Sequence, residues 1–256
     1  MFKISVEQTE IEKLPLGAFP GEIKVISKPG FDFEKAIFYL RRQKILGFDT
    51  ESRPVFSPGQ RNNGVALLQL SGPNRAYLFR VKELGMRRAL CNVLADERII
   101  KVGAAVLDDV HGLQRLHNFD PAGFVDLQKI VWEWGIRDKS VKKLAANILG
   151  CRISKAQQLS NWEAQELSVP QCNYAATDAW VCREMYLKLI GSEKHPLSPE
   201  ELLPPQDRIA HEAAVERKEA NIAAEKARAG TSKRKRRRRK KKITEDGKDN
   251  TEEGQG

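Results

Sequence analysis

The sequence has no run of eighteen apolar residues, so no segment reads as a membrane-spanning helix. Its opening stretch, MFKISVEQTEIEKL, has no apolar core of the kind a secretion signal carries, and a cytosol-like compartment is expected. Cysteine is scarce: Cys91, Cys151, Cys172 and Cys182 form no Cys-x-x-Cys pair in a chain of 256 residues. That excludes a small disulfide scaffold, and buried reduced thiols are the expectation. The four histidines, His111, His117, His195 and His211, make no His-Glu-x-x-His or mixed Cys/His set, so a zinc site is not expected. No internal repeat is visible.

Positive charge, by contrast, is concentrated. Of the 44 lysines and arginines, ten fall in one run: Lys233, Arg234, Lys235, Arg236, Arg237, Arg238, Arg239, Lys240, Lys241 and Lys242. Without them, basic residues equal the 34 acidic ones, so the net charge of +10 belongs to this run. Ten adjacent cations repel one another and cannot enter a core. They suit a flexible arm that binds phosphate backbones by releasing counterions, with little choice of sequence. A solubilising tail without a partner is the plainer alternative. In a eukaryote the run would also serve as a nuclear import signal; a bacterial, cytoplasmic setting is preferred here.

The remainder divides by pattern. Residues 1–22 read as an N-terminal extension, 23–192 as the main domain, and 193–206 as a proline-rich linker. A charged segment at 207–229 has helical composition with little apolar face, and 230–256 is expected to be disordered. Within the domain, IKVIS (23–27), ILGFDTE (45–51), GVALLQLSG, AYLFRV and IIKVGAA (99–105) read as strands, with GFVDLQ a short strand. Helical spacing covers 31–43, 84–96, 107–117 and 140–150, the last closed by a glycine. SVPQ offers a capping box, Ser168 to Gln171, opening a long helix to about Leu189. The segment SRPVFSPGQRNN between two strands is a loop. In it, Arg53, Phe56 and Arg61 could touch a strand's phosphates or a base, with an ordinary solvated loop as the equal alternative. An antiparallel meander followed by α/β alternation gives a mixed α/β sheet.

Five residues on these elements carry a common chemistry. Asp49 and Glu51, two apart on a strand, leave the same face. Paired carboxylates at the end of an apolar strand repel unless a cation neutralises them, and all-oxygen donors suit Mg²⁺ or Mn²⁺. Alone, such a pair would be a solvated strand end. Asp109 opens a helix, where acids are favoured by the helix dipole, and Asp108 stands beside it; spacing alone does not choose between them. Tyr174 and Asp178, four apart on a helix, share a face and can address one water molecule.

The segments GFDTE, VGAAVLDD and YAATDA resemble the three motifs of the DEDD 3′–5′ exonucleases, and the tyrosine marks the DEDDy branch, similar to ribonuclease D and the Werner-syndrome exonuclease domain. The likeness extends over about 22–192, through VDL (125–127), SVKKLAANILG, and Lys155 followed by LSNW. Asn161 departs from it, standing where such proteins often have Asp. The resemblance implies a ribonuclease H-like fold with a five-stranded mixed sheet in the order 3-2-1-4-5, strand two antiparallel. It implies two divalent cations, Mg²⁺ or Mn²⁺, held by Asp49, Glu51, Asp109 and Asp178, with Tyr174 orienting the attacking water. It further implies release of nucleoside 5′-monophosphates from the 3′ ends of single-stranded DNA or RNA. A module that only binds nucleic acid or ribosomes on this fold is the alternative. Oligomeric state is not legible.

Overall fold

Six strands form one sheet in the computed structural model, which describes residues 1–55, 64–203, Asp207, Arg217 and Lys218. They are β1 (Glu22–Ile26), β2 (Ile45–Ser52), β3 (Val65–Ser71), β4 (Arg75–Phe79), β5 (Ile100–Gly103) and β6 (Phe124–Asp126), in the order β1-β4-β3-β2-β5-β6. From β2 onward this is the 3-2-1-4-5 order expected. The meander β2-β3-β4 is antiparallel, and β5 and β6 add in parallel. IKVIS supplies a sixth strand that extends the edge beside β4 in parallel register.

The two faces are covered by different means. Helix Phe31–Leu40 turns Phe33, Ala36, Ile37 and Leu40 onto one face, against Phe48, Leu70 and Tyr77. The other face carries the long helix, Val169–Ile190. Its N-terminus has the predicted reciprocal box: Ser168 accepts from the Gln171 backbone, and the Gln171 side chain accepts from the Ser168 N–H at 3.0 Å. The helix meets the sheet through small residues, Ala175, Ala176 and Ala179, all fully buried. Opposite Ala179 lies Gly47 of β2: a Cβ added there would stand 1.8 Å from the Ala179 carbonyl oxygen. The backbone of the helix therefore rests directly on the backbone of the strand.

Several expectations change in detail. The helix expected over 84–96 spans Arg88–Leu94, because Gly85 adopts φ 74° and interrupts the run, leaving one turn at Val81–Leu84. The 140–150 helix starts under Ser140 and ends at left-handed Gly150 as expected, but it widens from an α turn (Val141–Leu144) into a π turn (Ala145–Leu149). Cys91 and Cys182 are buried, whereas Cys151 and Cys172 are only partly so, and all four thiols are free. Trp134 and Trp162 are buried, while Trp132 is exposed with its indole N–H on the Lys129 carbonyl.

Residues Met1–Leu197 form a single unit that includes the N-terminal extension. Val6 and Ile11 are buried against Ala146. The Val6 N–H donates to Asp138 (2.8 Å), the Gly17 N–H to the Arg152 carbonyl (2.8 Å), and the Phe19 N–H to the Thr177 hydroxyl (3.0 Å). Among the described residues of the second unit, Ser198 caps a short turn, Pro199–Leu202, by a capping box with Glu201. No helix among the described residues is long and apolar enough to cross a membrane. Phe56 and Arg61, most of the charged segment 207–229, and the whole of 230–256 with its basic run lie outside the described residues.

Candidate active site

The close approach at Gly47 decides where the acids meet. Asp178 precedes Ala179 on the long helix, and Asp49 and Glu51 follow Gly47 on the same face of β2. Pressing helix onto strand brings the three carboxylates together, with one oxygen of each within 4.8 Å of the others. They open into a cleft of about 300 Å³ that Thr50, Lys142, Lys155, Gln158 and Tyr174 also line. Tyr174, one turn before Asp178, gives its hydroxyl hydrogen to the Asp178 carboxylate.

The electrostatics of this cluster are one-sided. Burial, then repulsion from Asp178, Glu51 and Asp109, holds the Asp49 carboxyl well above the ordinary carboxylate range. Burial with repulsion from Asp178 and Asp109 lifts Glu51 to about 9. Burial lifts Asp178 to about 7 in spite of the Tyr174 hydrogen bond and Lys155. Tyr174 itself is pushed far above the usual phenol range by burial and by Asp178 and Glu51, so it stays protonated. Three half-buried carboxylates with one attracting lysine in reach are short of positive charge. Their donors are all oxygen, with no sulfur or imidazole, and that fits one or two hard divalent cations.

Asp109 stands apart from the triad but within its field. Strand alternation turns Thr50 away from the face that Asp49 and Glu51 share, and its hydroxyl donates to Asp109 at 2.5 Å. Asp109 is half-buried and lifted to about 6 by desolvation, whereas Asp108 is exposed, which separates the two candidates. Its helix, Val106–Gln114, begins after Ala105, whose backbone is left-handed at φ 57°. Asp126 at the end of β6 fixes that entry by accepting from the Ala105 N–H (3.1 Å) and the Gln128 N–H (3.0 Å). Thr50 and Asp126 were not singled out from sequence as positioning residues. The one legible trace was Asp126 within VDL, because Asp before a helical run is a capping signal. Thr50→Val keeps the shape and removes the bond. Its expected effect is a roughly 10–100-fold loss of metal-dependent activity with little change in thermal midpoint, the range typical of groups that orient metal ligands.

Two further residues named from the sequence have partners within the fold. Arg53 is drawn to Glu163 at 3.7 Å. Asn161 accepts from the Glu163 N–H at 3.1 Å, and its carbonyl accepts from the Gln171 amide at 3.2 Å, tying its loop to the start of the long helix.

A mixed sheet in this order, with a carboxylate cluster where its central strand meets a crossing helix, defines a nuclease-type α/β domain. A family model described as 3′–5′ exonuclease matches residues 25–191. The chain belongs to that family of enzymes. It is 30% identical over 202 residues to the bifunctional 3′–5′ exonuclease/ATP-dependent helicase WRN of Mus musculus, covering 73% of this chain and 14% of that protein. It is 35% identical over 150 residues to exonuclease 3′–5′ domain-containing protein 2 of Drosophila melanogaster, covering 57% of this chain and 25% of the relative. The chain thus spans a quarter or less of these two relatives. Among solved structures, the fold matches the Nibbler EXO domain of Aedes aegypti (TM-score 0.58, 23% identity, 68% of this chain and 91% of that one). It also matches RNase D of Escherichia coli (TM-score 0.59, 21% identity, 66% and 44%).

Proposed function

We propose that this protein hydrolyses nucleic acid from the 3′ end, releasing nucleoside 5′-monophosphates in a two-metal reaction. The observation that carries the reading is the convergence of Asp49, Glu51 and Asp178 in an open cleft beside a protonated Tyr174. Asp49, Glu51 and Asp178 would hold one cation, with Asp49 shared and Asp109 supporting a second. When bound, such cations lower the pKa of water, clamp the phosphate and stabilise the leaving 3′ oxygen. Tyr174 remains a hydrogen-bond donor and acceptor at neutral pH, so its part is to orient the attacking water and not to deprotonate it. Lys142 and Lys155 on the cleft wall offer positive charge to the substrate's phosphates.

Tyr174→Phe is expected to lower turnover by roughly 10–100-fold, as loss of an orienting group does, while the circular dichroism spectrum and melting curve stay unchanged. The direct test is a time course on matched 5′-labelled single-stranded RNA and DNA with Mg²⁺, Mn²⁺ or EDTA. A metal-dependent ladder shortening from the 3′ end supports the reading, and the faster polymer names the substrate. No cleavage of either, with retained binding, defeats it. The solved RNase D of Trypanosoma brucei is described in complex with RNA U12, which favours trying RNA first. The run 233–242 is proposed to concentrate substrate without selecting it. Deleting 230–256 should weaken strand binding and flatten its salt dependence; unchanged affinity and slope would dismiss that role.

A further inference from the structure

A second cleft, of about 540 Å³, lies on the other face of the sheet. In register, Lys24 stands beside Tyr77, Tyr77 beside Leu70 and Leu70 beside Phe48. Phe48 is the neighbour of Asp49, so this row faces away from the carboxylates. Helix Phe31–Leu40 forms the other wall. A nucleotide seated here is separated from the acids by the sheet itself, so the cleft is no extension of the active site.

Its lining has a distinct chemistry. Four cations, Lys24, Lys35, Arg42 and Arg75, face two carboxylates, Glu22 and Asp32. Lys24 and Arg75 share the single partner Glu22, at 3.0 and 3.1 Å. Arg42 instead lies 5.2 Å from the centroid of Phe38, a ring that is 64% exposed. Deeper in, the Tyr39 and Tyr77 rings lie 5.6 Å apart, tilted by 55°, with the Arg75 guanidinium 5.6 Å from the Tyr39 ring. Surplus positive charge along a wall of rings, with an exposed phenyl on which a planar group can stack beside a guanidinium, matches what a base bearing a phosphate requires. A purely apolar or purely anionic ligand would use only half of it.

We propose that this cleft binds a nucleotide unit, its base stacked on Phe38 beside Arg42 and its phosphate toward Lys24, Lys35 and Arg75. The unit comes either from a single strand or from a free nucleoside monophosphate. The site stands whether or not the carboxylates cut.

The test uses the full chain in EDTA, which suppresses metal-dependent binding and cleavage, and a roughly ten-nucleotide single strand carrying photoreactive 5-iodouridine. Crosslinks are mapped by peptide mass. The expected result is a crosslink in the peptide bearing Phe38 and Tyr39, reduced about tenfold by Phe38→Ala and by Arg42→Glu, as losing a stacking partner predicts. Both side chains are exposed, and circular dichroism checks that each variant is folded. Displacement by a nucleoside 5′-monophosphate identifies the free nucleotide as the source, whereas displacement only by unlabelled strand identifies the polymer. Crosslinks confined to the carboxylate cleft or to the basic run, or a crosslink at Phe38 that neither variant reduces, overturn the proposal.

Discussion

Gly47→Ala is expected to lower the thermal midpoint by roughly 6–12 °C and to abolish metal-dependent activity. The new methyl would lie 1.8 Å from the Ala179 carbonyl oxygen, well inside contact distance. The obstacle is helix backbone, which cannot swing aside as a side chain can. Overpacking a rigid contact costs about 3 kcal/mol at the upper end of the usual range. In a domain of this size each kcal/mol moves the midpoint by about 2–4 °C. The consequence for the site is larger than for the fold. If the helix lifts, Asp178 and Tyr174 leave Asp49 and Glu51, and a triad confined within 4.8 Å is broken. Differential scanning fluorimetry together with the nuclease time course checks both parts. A variant that melts and cuts like the parent would show that the contact is not tight.

Asp49→Asn should reduce metal-dependent turnover by about 10³-fold or more, since several kcal/mol of charge stabilisation depend on the cations it would share. The same substitution should stabilise the metal-free protein. The sign follows from linkage: Asp49, Glu51 and Asp178 all titrate higher in the folded protein than in the unfolded chain. Their protonated forms therefore favour folding at low pH, and that contribution is lost as pH rises through the span from about 4 to about 9. Metal-free protein should melt progressively lower across this window, and Mg²⁺ or Mn²⁺ should restore the loss at its upper end. Asn at position 49 removes one of the repelling charges and should raise the metal-free midpoint at pH 8 by about 2–4 °C, on the scale of 1 kcal/mol. Melting curves with and without EDTA at several pH values decide it. A metal-free midpoint that rises from pH 5 to pH 9 would contradict the electrostatic account.

Local signals in the sequence carried the elements well. The Ser168–Gln171 box placed the start of the long helix because a capping box needs only four consecutive residues. Alternation put Asp49 and Glu51 on one face for the same local reason. The strand order came through resemblance and not through periodicity, since pairing between β2 and β5 joins residues far apart in the chain. What could not be read is non-local. Nothing near Thr50 announces that it meets Asp109, fifty-nine positions on. Gly47 looks like any strand glycine until Ala179 is set against it. The helix expected from 84 failed to start there because the apolar spacing continued through Gly85, while the backbone at that residue did not.

The first nineteen residues have a practical bearing on how the enzyme is handled. They brace the elements that carry the carboxylate cleft: Val6 and Ile11 cover Ala146, Gly17 is stitched to Arg152 just ahead of Lys155, and Phe19 is stitched to Thr177 just ahead of Asp178. A protein shortened to the matched span, 25–191, would retain every acid and still lose this splint. It should express less well and work slowly, and a weak result from such a fragment would reflect where it was cut and not what the longer chain can do.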